Sequence, residues 1–163
     1  MEVNDRKKRI RSLQIKKRRE KIIKEMKAKN ISLSLDSFLD IQYSMNLLNE
    51  LFDKIDKLKE DKHEIKFKHS NEVAIKHLSD LKLKMPFKFQ YKKVILFHQN
   101  HLETGAIIIN IEDVFKEINW MVSFSGYTKE TFDFIIVEPK LEYGICIEIR
   151  EYQDILTNWG LFN

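Results

Sequence analysis

The stretch TFDFIIVEPKLEYGICIEIR, residues 131–150, decides the fold class, because two apolar runs flank a short charged turn. Residues 131–138 predict one β-strand. Residues 145–150 predict another, since Ile145, Ile147 and Ile149 alternate with less apolar neighbours. An alternation of period two places these isoleucines on one face of a sheet. We therefore expect the second strand to have one dry face and one wet face.

Further strand candidates lie upstream of this stretch, and they bring the predicted total to five. The upstream candidates are residues 87–97, 106–111 and 120–125. Residues 126–129 form a turn of hairpin length. We therefore expect the strands at residues 120–125 and 131–138 to pair as a hairpin. Short helices are expected at residues 112–119 and 152–159. These connections predict a mostly antiparallel sheet.

The chain before Pro86 predicts helices. Residues 5–29 contain no Gly or Pro and are rich in good helix formers. A second helix is expected to start at Asp36 or Ser37, whose short side chains suit an N-cap, and a third is expected at Asn71, after a charged turn at residues 59–64.

The predicted second helix carries apolar residues at spacings of three and four. They are Phe38, Ile41, Met45, Leu48, Phe52 and Ile55, with Leu47, Leu51 and Leu58 widening the stripe. This pattern fits a core-facing helix or half of a helical hairpin, and it also fits a dimeric coiled coil. The oligomeric state stays open.

The predicted fold is α+β, with a basic helical N-terminal region followed by a mostly antiparallel five-stranded sheet with short helices. We divide the chain into a basic helix at residues 1–30, a helical region at residues 31–85 and an acidic strand-rich domain at residues 86–163. Residues 1–30 hold 13 Lys and Arg against 4 Asp and Glu, whereas residues 101–163 hold 4 against 11. This charge asymmetry indicates that the two ends of the chain bind different partners or bind each other.

The composition indicates a cytoplasmic protein. Cys146 is the single cysteine, and no charged-then-apolar signal sequence opens the chain, so a reducing compartment is expected. The apolar runs are too short to cross a bilayer, so we expect no membrane partner. No residue pattern predicts a bound cofactor.

The cations near the N-terminus are the strongest charge feature of the sequence. The residues expected to contact nucleic-acid phosphates are Arg6, Lys7, Lys8, Arg9, Arg11, Lys16, Lys17, Arg18 and Arg19. No aromatic residue interleaves with this cluster, so base stacking is not expected there. The alternatives are a solvated helix and a strap that lies across the acidic domain.

Residues 132–141 read Phe-Asp-Phe-Ile-Ile-Val-Glu-Pro-Lys-Leu, and Gly144 and a second strand follow them. This string resembles the core of a family of bacterial immunity proteins, the eighth numbered family of polymorphic-toxin systems, in which a Phe-Asp strand runs into a Pro-Lys turn. The resemblance implies a cytoplasmic protein that is not an enzyme. It also implies that the partner is a toxin that the protein binds and blocks.

An acidic surface suits an inhibitor independently of that resemblance, because many toxins that act on nucleic acids are basic. The residues expected to form the docking face are Asp133, Glu138, Glu142, Glu148 and Glu151. Surface carboxylates that only maintain solubility are the alternative.

The segment Glu138-Pro139-Lys140 also has the form of half of a metal-dependent nuclease site, with Asp113 or Asp133 as the second carboxylate. A charged exit from the strand is the preferred explanation, because Asp133 and Glu138 would point to opposite faces of the strand and Pro139 interrupts it. His98 and His101 are interpreted as parts of an exposed loop, His69 as a surface residue, and Cys146 as half-buried. No catalytic or metal-binding residue is therefore predicted.

The leading hypothesis is a non-catalytic protein-binding module of the immunity type, an inhibitor that binds a toxin or another basic protein through an acidic face of the sheet. A nucleic-acid-associated protein that uses residues 6–29 is the alternative. A metal-dependent nuclease is the third candidate.

Overall fold

The computed structural model describes residues 2–58 and 60–162, and its architecture is α+β with a single antiparallel sheet between layers of helices. The strands are β1 (Lys62–Phe67), β2 (Lys93–Phe97), β3 (Ile107–Asn110), β4 (Phe134–Val137), β5 (Gly144–Glu148) and β6 (Asp154–Trp159). The helices are α1 (Glu2–Lys27), α2 (Ile41–Lys57), α3 (Asn71–Lys84), α4 (His101–Thr104), α5 (Ile111–Lys116) and α6 (Ile118–Ser125).

The sheet has six strands in the order β1-β6-β5-β4-β2-β3, and every neighbouring pair is antiparallel. The prediction of a mostly antiparallel sheet is confirmed, and the predicted number of five strands is wrong. Within the described residues, no helix is both long enough and apolar enough to cross a bilayer.

Helix α2 covers one face of the sheet. Its buried side chains are Ser44, Leu47, Leu51 and Ile55, and the three apolar ones pack with residues of β2, β4, β5 and β6 that point to this face. The interpretation of this helix as core-facing therefore agrees with the structure. The helix starts later than expected because the carboxylate of Asp40 accepts a hydrogen bond from the backbone N–H of Tyr43 at 3.0 Å. Phe38 consequently lies outside the helix, and Met45 is exposed.

The opposite face packs against α3, α5, α6 and the C-terminal end of α1. Ile22 and Met26 of α1 are buried in the same apolar cluster as Leu78 of α3 and Val122 of α6. The predicted basic helix is therefore confirmed as a helix, and its last turns belong to the main core. Burial of Met26, which is completely inaccessible, fixes this end of the helix on the body.

Two elements have the opposite type from the prediction. Residues 120–125 were expected to form a strand, but they belong to α6, because Gly126 at φ 102° ends a helix and does not form a hairpin turn. Residues 152–159 were expected to form a helix, but β6 occupies most of them. Pairing with β1 on one side and β5 on the other supplies β6 with hydrogen bonds that local propensity does not reveal.

Two boundaries also differ. The predicted long strand at residues 87–97 begins as a 3₁₀ turn, Phe87–Phe89, and only Lys93–Phe97 pairs in the sheet. The predicted charged turn at residues 59–64 runs into β1, so the region at residues 31–85 is not purely helical. Lys59, Met1 and Asn163 lie outside the described residues.

Strand β5 is buried on both faces, which corrects the expectation of a wet face. Ile145 and Ile147 pack on the side of α3, and Cys146 packs on the side of α2. The strand is central in the sheet, and helices cover both of its surfaces. Gly144 lies so close to the indole ring of Trp159 that an added Cβ would be 2.6 Å from it. A side chain at this position would therefore clash with the core.

Candidate functional site

The five carboxylates that were predicted to form a docking face do not lie together. Asp133 immediately precedes β4 and Glu148 ends β5, so these two lie at one end of the β4–β5 hairpin. Glu138 and Glu142 lie in the turn at the other end, about 15 Å of strand away. Glu151 lies in the loop between β5 and β6. The predicted residues therefore belong to two separate ends of the molecule.

Two of these carboxylates hold the backbone of the hairpin. Glu138 Oε2 accepts hydrogen bonds from the backbone N–H of Lys140 at 2.9 Å and from that of Glu142 at 3.2 Å. Asp133 Oδ1 accepts a hydrogen bond from the backbone N–H of Ile149 at 2.9 Å. Burial raises the pKa of the Asp133 carboxyl above its ordinary value, and that hydrogen bond opposes the increase. Both side chains therefore contribute to folding, whatever they bind.

The remaining acidic candidates differ in how freely they can meet a partner. Glu148 accepts a 2.8 Å charge-assisted hydrogen bond from Arg150, which neutralises part of its field. Glu142 and Glu151 are exposed. Of the predicted set, these last two have the side chains most available for binding.

A broader acidic area surrounds the turn between β4 and β5, and we call it the turn-end surface. Its exposed carboxylates come from three segments of the chain: Glu50, Asp53, Glu60, Asp61 and Glu142. They line three adjoining grooves of about 470, 320 and 230 Å³, which share Leu58 and Leu141 among their walls. Lys54, Lys57 and Lys140 lie among the carboxylates. The area is therefore a mixed surface with an acidic excess.

The residues named for a nuclease site are spread over the fold. Asp133 and Glu138 lie at opposite ends of β4, and Asp113 lies on α5, beyond β3, on the other side of β2 from β4. In the described part of the chain, no three His, Cys, Asp or Glu side chains are grouped so that they could hold a metal ion. The geometry therefore does not assemble the two-carboxylate arrangement that this pattern suggested.

His98 and His101 are buried, so their interpretation as parts of an exposed loop is wrong. The segment contains the short helix α4, which packs against α1 and α2. His98 Nδ1 accepts from the backbone N–H of Asn100 at 3.3 Å, which leaves the proton on Nε2, 3.2 Å from the carbonyl oxygen of Gly105. Burial lowers the pKa of His98 to about 4 and also lowers that of His101.

Cys146 is completely buried in the centre of the sheet, which corrects its interpretation as half-buried. Burial, with smaller contributions from Asp133 and Glu148, raises the pKa of its thiol well above the ordinary value. A thiol without access to solvent and without a stabilised thiolate is poorly suited to nucleophilic attack.

A polar cluster around the buried Asp154 joins β6 to the segments just before α3 and just after α6, and the sequence did not reveal it. Asp154 is fully buried and accepts hydrogen bonds from the Tyr127 hydroxyl and from His69 Nδ1, the latter at 2.7 Å. His69 Nε2 lies 3.7 Å from a carboxylate oxygen of Glu130. Burial and then the bond to Asp154 raise the pKa of Tyr127 well above its ordinary value. A histidine and an aspartate 85 positions apart give no local pattern that reports this contact.

The basic helix α1 divides into a docked half and an exposed half. Arg19 donates hydrogen bonds to the carbonyl oxygens of Thr104 at 2.8 Å and Leu39 at 3.2 Å, and Arg18 lies 3.7 Å from Glu103. Every residue from 2 to 14 is exposed, a length of about 20 Å of helix. The cations at positions 6–11 are Arg6, Lys7, Lys8, Arg9 and Arg11. Within the described residues, none of them is paired with a carboxylate.

A groove of about 800 Å³ runs between α1 and the start of α2. Lys8, Arg11, Lys16 and Arg19 line one side of it, and Asp40 is the acidic residue on its other side. Only part of α1 therefore lies across the body as the strap alternative describes. The last turns of α1 lie on the body, and the first turns carry their cations beside an open groove.

The model of the YxiF protein family matches residues 22–159, which leaves the exposed half of α1 outside the matched region. The chain is also similar to the uncharacterized protein YxiF of Bacillus subtilis (strain 168), with 30% identity over 70 residues. That alignment covers 42% of this chain and 45% of the relative, so it spans less than half of the relative's length. No solved structure matches the chain. Because the family model covers far more than half of its residues, the chain belongs to the YxiF protein family.

Proposed function

We propose that this protein is a non-catalytic binding module that captures another protein, and that it acts as an immunity-type inhibitor of a basic toxin. The observation that carries the proposal is the turn-end surface, where five exposed carboxylates from three segments surround adjoining grooves. All five lie within the residues that the family model matches. This surface replaces the scattered set of carboxylates as the docking site.

The chemistry of the turn-end surface suits a basic protein partner. Exposed carboxylates accelerate the encounter with a cationic partner and disfavour acidic competitors. Tyr43, which is 49% exposed, and Pro139 lie along one of the grooves and provide apolar contact area. The rim is thus charged and its grooves hold apolar groups, as in many protein interfaces.

The resemblance of residues 132–141 to an immunity family supports the same proposal. That string forms β4 and the turn after it, so it ends within the turn-end surface. An inhibitor of this kind works in the cytoplasm by occupying the toxin. It therefore needs a complementary surface and no reaction centre.

The test uses candidate toxin domains taken from the genes that flank this one, purified or co-expressed with this chain. The triple variant Glu50→Lys/Asp53→Lys/Glu142→Lys reverses three exposed charges whose side chains make no recorded hydrogen bond among the described residues. We expect capture of the toxin to weaken at least about tenfold and protection of growth to be lost, because like charges would then oppose across the interface. Isothermal titration and a growth assay measure the two effects.

The matched control is Glu72→Lys/Asp80→Lys/Glu112→Lys, which makes the same charge change at exposed positions on α3 and α5. This control should bind and protect like the wild type. Equal affinity of the two triple variants for the toxin would rule out the turn-end surface.

A second candidate, a nucleic-acid-associated protein, is favoured by the unpaired cations of the exposed half of α1. Clustered cations release counterions from a phosphate backbone, so binding would fall steeply with salt and depend little on sequence. The helical form places the cations along a 20 Å rod beside the groove against α2.

Neutralising Arg6, Lys7, Lys8 and Arg9 with glutamine should therefore weaken binding of a duplex DNA probe at low salt and flatten its salt dependence. Lys21, Lys24 and Lys27, changed together to glutamine, form a control farther along the same helix. A fluorescence-anisotropy titration that gives the same salt slope for the wild type and the first variant would eliminate this candidate.

A further inference from the structure

A second surface combines exposed apolar side chains with lysines, and it lies where α3 ends and the chain turns toward β2. We call it the aromatic turn, residues 82–93. Leu83 is 85% exposed, Phe87 69% and Tyr91 67%, which makes them three of the most exposed large apolar side chains in the described part of the fold. Such groups in one short segment usually mark a binding surface.

The exposure of these rings is built into the turn. Met85 and Phe89, which alternate with them, are buried, and the Phe89 ring packs 4.7 Å from that of Tyr143. Backbone hydrogen bonds from Phe89 N–H to the Pro86 carbonyl at 3.0 Å and from Lys92 N–H to the Phe89 carbonyl at 3.1 Å close the turn. Buried anchors and a closed backbone therefore hold Phe87 and Tyr91 outward with little conformational freedom to lose on binding.

All the charged side chains of the aromatic turn are positive. Five lysines interleave with the apolar residues, namely Lys82, Lys84, Lys88, Lys92 and Lys93. No Asp or Glu occurs between residues 81 and 102. None of these five lysines is in a salt bridge within the described residues, so their charges remain available to an anionic partner.

The two exposed rings offer faces for stacking. The ring centroids of Phe87 and Tyr91 are 5.5 Å apart, and the planes meet at 75°. In this edge-to-face arrangement each ring keeps one face turned away from the other, so a planar base can stack on it. Aromatic faces with lysines around them are the combination by which proteins hold single-stranded nucleic acid without reading its sequence.

We propose that the aromatic turn binds single-stranded nucleic acid, with bases stacked on Phe87 and Tyr91 and phosphates contacted by the surrounding lysines. A duplex is disfavoured because its bases are already stacked on one another. An anionic membrane is the competing partner, and a vesicle-binding measurement separates it from a single strand.

This site differs from both surfaces of the proposed function. It uses no carboxylate of the turn-end surface and no cation of α1, and it supplies the aromatic groups that α1 lacks. Failure of toxin capture would leave it untouched, and its own failure would leave the toxin proposal untouched.

The test measures binding of a fluorescein-labelled 15-nucleotide oligo(dU) probe to the full chain by anisotropy. Phe87→Ala/Tyr91→Ala should weaken binding by roughly tenfold or more, the size of effect that loss of base stacking produces. Lys84→Gln/Lys88→Gln should weaken binding and reduce its salt dependence. Phe87→Trp should retain affinity, because it preserves the stacking face.

The matched control for the rings is Tyr43→Ala/Tyr152→Ala, which removes two exposed aromatic side chains elsewhere. It should bind the probe like the wild type. The proposal is overturned if Phe87→Ala/Tyr91→Ala binds the oligonucleotide as tightly as this control. It is also overturned if the wild type ignores the oligonucleotide while binding vesicles with anionic lipid.

Discussion

His98 shows how a single residue departs from its sequence-based interpretation. Two histidines three positions apart in a polar segment, residues 98–105, look like loop residues. The structure buries His98 against the ring of Phe124, whose centroid is 5.1 Å away, and completes its hydrogen bonds with backbone groups. A neutral imidazole satisfies this site, because no carboxylate is recorded within bonding distance among the described residues.

The low pKa of His98 makes the stability of the fold depend on pH. The unfolded chain takes up a proton at His98 as the pH falls through its ordinary value of 6.5, whereas the folded chain resists protonation until about pH 4. The unfolded state therefore binds more protons in this window, and stability declines as the pH falls. Between pH 7 and pH 5 we expect this residue to cost about 2 kcal/mol of unfolding free energy.

Urea unfolding at pH 7 and pH 5 measures this loss. His98→Gln should be less stable at pH 7 but should lose less stability on acidification than the wild type. His63→Gln, which changes an exposed histidine, should follow the wild type. Identical pH dependence in His98→Gln and the wild type would contradict the assignment.

Among the elements, those with a strong local pattern were predictable and those defined by long-range pairing were not. Helices α1 and α3 and strand β4 lie close to their predicted ranges, because periodicity, capping residues and β-branched runs act locally. Strands β1 and β6 pair with each other at Phe67 and Asp154, 87 positions apart, and no local pattern reports that pairing. The apolar run at residues 120–125 suits a strand or a helix, and contact with α3 and α5 decides for the helix.

The candidate sites, like the elements, were predictable only where the sequence carries a local pattern. The cations of α1 are evident from composition, and the structure shows that they lie on a helix. The acidic residues were identified by charge alone, which cannot distinguish Glu142, exposed at the turn, from Glu138, whose carboxylate caps that turn. Glu50 and Asp53 join the acidic area only because α2 packs beside the β4–β5 turn. In the aromatic turn, residues 87–92 are predicted as the start of a strand, and the structure forms a turn there.

Docking of α1 depends on a small number of contacts, and Arg19 makes the most specific of them. Its guanidinium bridges the carbonyl oxygens of Thr104 and Leu39, which belong to two separate segments of the body. Arg19→Ala should lower the unfolding free energy by about 1–2 kcal/mol, because two carbonyls then lose a charged donor. Arg19→Lys should recover only part of this, since an ammonium group lacks the planar fork.

Arg11→Ala is the control for Arg19, because it removes the same side chain from the exposed half of the helix. Its effect should stay within about 0.5 kcal/mol, as for most surface substitutions. Hydrogen exchange at residues 15–26 distinguishes local undocking from global unfolding. If the two alanine variants show the same stability and the same exchange, Arg19 does not hold the helix.

At the scale of the whole molecule, opposite charges are displayed at different places on one body. The cations of α1 are carried on a rod whose residues 2–14 are all exposed, and the acidic excess surrounds the β4–β5 turn. The family model begins at residue 22, where α1 meets the core. The start of the family match and the first core residue both place the beginning of the folded body in the last turns of α1.

Removing residues 2–14 should therefore leave the fold almost unchanged. None of these side chains is buried, so their loss exposes no apolar core, and the melting temperature should stay within about 2 °C of the full chain. Met26→Ala, by contrast, truncates a fully buried side chain farther along the same helix and should cost about 2–5 kcal/mol. Thermal unfolding followed by circular dichroism compares the two. A large loss of stability in the truncated chain would show that the exposed turns of α1 support the body, and the rod could then not act as an independent arm for nucleic acid.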